Sequence, residues 1–175
     1  MTSRDRQRTP RFDSLALAGE FATPDFADVQ IVPVRRAAGL MPRDWAQLMF
    51  AVSSTPLWVR VLFAIRAVIA PLFGIDTRRE AASDPFAVQE VHGQEALLDT
   101  DAPHLRFRCA VGVDDERGLL RVTTAVLFNN WRGRLYFIPV DLLHGPVIRA
   151  MMRRAVRRGS TRRWRRMNAA RLRSA

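Results

Sequence analysis

Between His104 and Phe128 the chain alternates. Leu105, Phe107, Cys109, Val111 and Val113 are apolar, with His104, Arg106, Arg108, Ala110 and Gly112 between them. After the turn signal DDERG at 114–118, the alternation resumes with Leu120, Val122, Thr124, Val126 and Phe128, set against Arg121 and Thr123. A period of two sends successive side chains to opposite faces, so these read as two half-buried antiparallel strands. NNWRG at 129–133 reads as a further turn. Leu135 and Phe137 alternate with Arg134, Tyr136 and Ile138, which predicts a third strand with its inner face unassigned. Upstream, Phe86–Val91 and Gln94–Asp99 read as a hairpin around a His92-Gly93 turn. Val29–Val34 reads as a short strand, with Pro33 suited to a sheet edge.

Elsewhere the spacing is helical. Pro42 opens a helix with Trp45, Leu48, Met49 and Val52 on one stripe. SSTP at 53–56 stops it and starts another, with Thr55 as cap and Pro56 as the first helical residue. In that second helix Leu57, Trp58, Val61, Leu62, Ile65, Val68, Ile69 and Leu72 cover most of the circumference, so it needs cover on several sides. The run 56–75 nears the length of a membrane span, but Arg60, Arg66 and Pro71 interrupt it and favour a buried helix. An in-plane membrane helix would show a stronger basic face. A last helix is predicted from His144-Gly145-Pro146, with Val147, Ile148, Met151, Met152, Ala155 and Val156 on its apolar face and Gly159-Ser160 as its stop. Arg149, Arg153 and Arg157 lie on its other side at four-residue spacing, where like charges require solvent or an anionic partner.

Charge divides the chain. All 28 basic residues are arginine. Through residue 148, 17 arginines balance 17 acidic residues; the 11 arginines after it face no acid and account for the net charge of +11. We therefore expect a disordered N-terminal arm at 1–20, one neutral domain at 21–158 and a basic tail at 159–175. The single cysteine, Cys109, excludes an internal disulfide and a cysteine-rich zinc site. No apolar segment with a cleavage site opens the chain, so the expected location is cytoplasmic, with peripheral membrane contact as an extension.

The HLRFR strand, the TTAVLFNNWRGRLYF hairpin and the PV-LLH-PVIRAMMRR helix resemble a bacterial family catalogued as domain of unknown function 2867. The resemblance takes in the 86–98 hairpin and the PLWVRVLFAIR helix, and spans roughly residues 30–158. That family is similar to the helix-grip superfamily, START-like and Bet v 1-like. The resemblance implies an α+β fold: a curved antiparallel sheet of about five to seven strands wrapped around a long C-terminal helix, with two helices inserted after the first strand. It also implies a cavity for an apolar ligand between sheet and helix. Some relatives carry this domain after a nucleotide-binding reductase domain, but no G-x-G-x-x-G occurs here. The pattern has no catalytic signature.

The candidate lining of such a cavity is Phe107, Cys109, Val122, Thr124, Phe128, Tyr136, Val147, Met151 and Met152. Each also reads as ordinary core; methionine is the residue that adapts best to a variable ligand shape. His92, His104 and His144 have no metal-ligand spacing, and neither metal nor cofactor is expected. Asp114, Asp115 and Glu116 read as a solvated turn. The expected partner is a small apolar or amphipathic molecule. A cofactor-free enzyme acting on a hydrophobic ring, with Tyr136 or a histidine as acid or base, is the alternative. Arg153, Arg157, Arg162, Arg163, Trp164, Arg165 and Arg166 are candidates for contact with an anionic surface, lipid ahead of nucleic acid, and the tail reads first as a solubilising, disordered extension. The pattern does not address oligomeric state.

Overall fold

The computed structural model describes residues 14–34, 39–51, 55–73 and 87–159. Five antiparallel strands form one curved sheet: β1 (Phe26–Pro33), β2 (Glu90–His92), β3 (Glu95–Asp101), β4 (Leu105–Asp114) and β5 (Leu119–Phe128), in the order β1-β5-β4-β3-β2. Two helices follow the first strand, α1 (Pro42–Phe50) and α2 (Leu57–Ile69), and a long helix α3 (Trp131–Gly159) ends the described chain. The architecture is α+β, as the patterning predicts.

The alternation through 104–128 is realised residue for residue. Cys109 stands opposite Thr124 and Val111 opposite Val122 in the β4–β5 ladder. Cys109, Val111, Val113, Leu120 and Val122 point into the main core, where they meet Trp45, Leu48 and Met49 of α1 and Ile148, Met151, Met152 and Ala155 of α3. In α1 the Asp44 carboxylate accepts the Met41 backbone N–H at 3.0 Å, so an acid in the first turn satisfies a donor that the helix leaves free. The expected stripe residue Val52 lies outside the described residues, as does Phe86 of the expected hairpin. The hairpin is present one position later than predicted: His92 pairs with Glu95, so Gly93 and Gln94 make the turn. Gly93 has a φ of 56°, a left-handed backbone that glycine adopts without a steric cost.

Two expectations are corrected. Residues 129–138 do not make a turn and a third strand; they open α3, which begins at Trp131 rather than near Pro146. Asn130 caps it: its Oδ1 accepts the Gly133 backbone N–H at 3.2 Å, and its Nδ2 donates to the Pro103 carbonyl at 3.0 Å. The same Asn-Asn pair that marks turns also marks helix starts, because both uses rest on a short side-chain acceptor. Pro139 and Pro146 both lie within α3. Both rings are exposed, so a bend at either opens the solvent side of the helix and closes its other side onto the sheet.

The second correction concerns the N-terminal arm. Residues 1–13 lie outside the described residues, but residues 14–20 of the expected arm are folded. Two short 3-10 turns, Leu15–Leu17 and Gly19–Ala22, cross the outer face of the sheet, where Ala16 and Phe21 are fully buried. Glu95 anchors this segment, accepting from Ser14 Oγ at 3.1 Å and the Leu15 backbone N–H at 2.7 Å. Arg108 lies over the Phe21 ring at 4.4 Å. Both faces of the sheet are therefore covered, which is why Ala110 and Thr123 on the outer side are buried.

Candidate functional site

α2 is seated by a narrow stripe. Val59, Leu62, Arg66 and Ala70 recur at three- and four-residue spacing and turn inward, while the rest of its side chains are exposed. Val59 reaches the main core. Ala70, one residue past the helix, reaches a second cluster with Leu105, Val126, Tyr136 and Phe137, flanked by half-buried Phe26, Phe107 and Phe128. Since the main core contains Ile148 and Met151, and the second cluster contains Tyr136, α2 runs antiparallel to the first half of α3.

The second cluster is aromatic. The Phe137 ring meets Phe26 edge-on at 4.9 Å and Phe128 at 5.2 Å. Tyr136 meets His104 edge-on at 5.5 Å. Its hydroxyl accepts a hydrogen bond from Arg66 Nε, and the Arg66 guanidinium stands 5.7 Å from the tyrosine ring centre. One half-buried cation thus sits at the margin of an apolar, aromatic cluster. A few polar groups set in an apolar lining are the usual composition of a small-molecule site. Arg66 was missed as a site residue. Its signal was an arginine falling on the inward stripe of an otherwise apolar helix.

The predicted lining residues divide between the two clusters, except Thr124, which is buried opposite Cys109 and belongs to neither. Phe107, Phe128 and Tyr136 gather at the aromatic end, and Phe107 also touches the main core. Cys109, Val122, Val147, Met151 and Met152 pack in the main core with α1. Burial pushes the Cys109 thiol up to about 12, against a hydrogen bond with the Thr124 side chain that lowers it and a smaller rise from Glu95. A thiol held protonated is a small hydrophobe rather than a nucleophile.

A polar cluster lies between β1 and α3. Gln30 Nε2 donates to both carboxylate oxygens of Asp28, at 2.9 and 2.8 Å, and Arg149 Nε donates to Gln30 Oε1. His144 Nε2 stands 3.7 Å from Asp28 Oδ2, beyond hydrogen-bond distance. Burial lowers the His144 pKa, opposed by the charges of Asp28 and Asp141. His144 also meets the Phe26 ring edge-on at 5.5 Å, so His104 and His144 both border the aromatic cluster. An open groove of about 280 Å³ lies at the far end of β4, lined by Ile31, Gln94, Gly112, Arg117, Leu119 and Arg121 among others.

Arg153 and Arg157 are exposed on α3, and Arg162, Arg163, Trp164, Arg165 and Arg166 lie outside the described residues. Among the described residues no group of three or more histidine, cysteine or acidic side chains could hold a metal ion. Among them, too, no helix is long and apolar enough to cross a membrane.

No curated protein and no solved structure matches the chain. The family described as "Protein of unknown function (DUF2867)" matches residues 21–151, from the buried Phe21 on the outer face of the sheet to Met151 in the core, and the chain belongs to that family.

Proposed function

We propose that the domain binds a small amphipathic molecule at the aromatic end of the sheet, beneath α2. The observation that carries this is the Arg66–Tyr136 contact, which links a thinly seated helix to a cluster of Phe26, Phe107, Phe128 and Phe137. The ring faces would take the apolar body of the ligand, and Arg66 would exchange its tyrosine partner for an anionic head such as a carboxylate. The exchange favours the ligand because a carboxylate brings a full opposite charge to the guanidinium, whereas the tyrosine hydroxyl brings none. The site sits toward one end of the sheet–helix interface, because the middle of that interface is filled by Cys109, Val122, Met151 and Met152.

Titration of the protein with decanoate, followed by tryptophan fluorescence, tests the reading. Saturable binding is expected, weakened about tenfold by Arg66→Met, the loss of one charge-assisted bond. Phe128→Ala should weaken it as well. Absence of saturable binding by the wild-type protein, together with no small molecule extracted from the purified protein, would reject the proposal.

A further inference from the structure

One side of the molecule is apolar where it meets solvent. Leu57, Trp58, Val61, Ile65 and Val68 are exposed along α2. On α3, Trp131, Leu135, Ile138 and Leu142 recur at spacings of four, three and four, a stripe opposite the one that faces the sheet. Val68 is 75% exposed and Leu142 79% exposed, and each belongs to a row of exposed apolar side chains rather than standing alone. Arg66 and Tyr136 join the two helices, so the apolar stripes lie on adjacent elements.

The charges on these helices have one sign. α2 carries Arg60 and Arg66 and no acid. α3 carries seven arginines and one acid, Asp141. The outward line of α3 does not stop at Leu142. It continues through Pro146 to Arg153 and Arg157, while Arg149 turns its guanidinium to Gln30 of β1, so a single helix face is apolar for its first half and cationic toward its end. The 16 residues beyond Gly159 add six arginines and no acid.

We propose that this face docks on an anionic lipid surface, with the α2 and α3 stripes set into the headgroup boundary and the arginine row on lipid phosphates. An apolar face alone or a basic patch alone holds a protein only weakly at a membrane; the two together make a stable peripheral anchor. Trp58 and Trp131 have the amphipathic rings that favour that depth. A second copy would cover the apolar stripes but offers the arginine row no matching row of acids, since α3 carries one acid and α2 none. A nucleic acid would engage the arginines but leave the aliphatic stripes without a counterpart. The proposal stands apart from the ligand reading, because the residues it uses point away from the aromatic cluster.

Vesicle co-sedimentation of the full chain tests it, with vesicles of phosphatidylcholine alone or with roughly one-third phosphatidylglycerol. Binding to the mixed vesicles is expected, about tenfold or more above binding to phosphatidylcholine and weakened by salt. A Val61→Ser, Val68→Ser, Leu142→Ser variant should lose at least about tenfold while keeping the wild-type thermal midpoint, since all three side chains are exposed. Arg153→Glu with Arg157→Glu should lose a comparable factor. No sedimentation with mixed vesicles would overturn the proposal. So would undiminished binding by the serine variant, equal binding to both vesicle types, or a vesicle-free dimer in wild type that the serine substitutions abolish.

Discussion

Gly133 shows how much one residue decides here. A Cβ built on it would lie 2.1 Å from the His104 carbonyl oxygen, a backbone atom that cannot rotate away. The glycine lets the first turn of α3 press against the loop between β3 and β4, where Asn129 and Asn130 donate to the Ala102 and Pro103 carbonyls. We predict that Gly133→Ala costs about 3 kcal/mol or more in denaturant unfolding, the scale of overpacking against an immobile neighbour. A turn glycine of ordinary geometry would lose much less. In sequence, this glycine looked like turn punctuation, because a residue chosen for close approach and one chosen for backbone freedom are the same letter.

At the scale of the element, α3 is the informative case. Its lower half was legible, since Val147, Ile148, Met151, Met152 and Ala155 fall on one face in sequence and in space. Its upper half was not. Tyr136 and Phe137 both turn inward, as a helix allows, whereas the alternating pattern around them suggested a strand. Pro146 strengthened that misreading, because proline suits the first turn of a helix better than its interior. Because Asn130 caps α3, Asn130→Ala should lower stability by about 1 kcal/mol, measured by chemical denaturation, and fray the first turn in hydrogen exchange. An unchanged midpoint would return the segment to the turn that its composition suggests. α2 followed the opposite course. Its all-round apolar composition predicted burial on several sides, and the described structure buries only its Val59–Ala70 stripe.

For the whole molecule, the pH dependence of stability follows from where its titratable groups lie. Burial lowers the His144 pKa below its ordinary value of 6.5. The unfolded chain therefore binds that proton at higher pH than the folded one. Stability is complete above about pH 6.5 and falls as the pH drops below it, until the folded histidine also protonates. The thermal midpoint should fall between about pH 7.5 and about pH 5.5, and His144→Phe, which keeps a ring against Phe26, should flatten that fall. An equal slope in the variant would show that His144 is not the group responsible. A separate loss is expected at lower pH. Hydrogen bonds from Arg106 to Glu20 and from Arg117 to Asp114 lower those carboxyl pKa values, so their contribution is present above the ordinary carboxylate range and disappears as pH falls through the lowered values. Glu20 matters to the fold because it ties the N-terminal turns to β4 through Arg106, at 2.7 Å.

Local periodicity alone determined the strands at 105–128, the helix at 42–50, the inward faces of both and the α+β class, because a two- or 3.6-residue period leaves few choices of face. Charge counting alone separated a neutral body from an arginine-only end. Only the tertiary structure decided that residues 131–138 are helix, that residues 14–22 cover the outer face of the sheet, and that Arg66 meets Tyr136. Each of these depends on partners 27 or more residues away, including Gly133 on the His104 carbonyl, Ser14 on Glu95 and Arg66 on Tyr136. Such contacts leave no period in the sequence, because what selects them is the shape and bonding capacity of a distant surface.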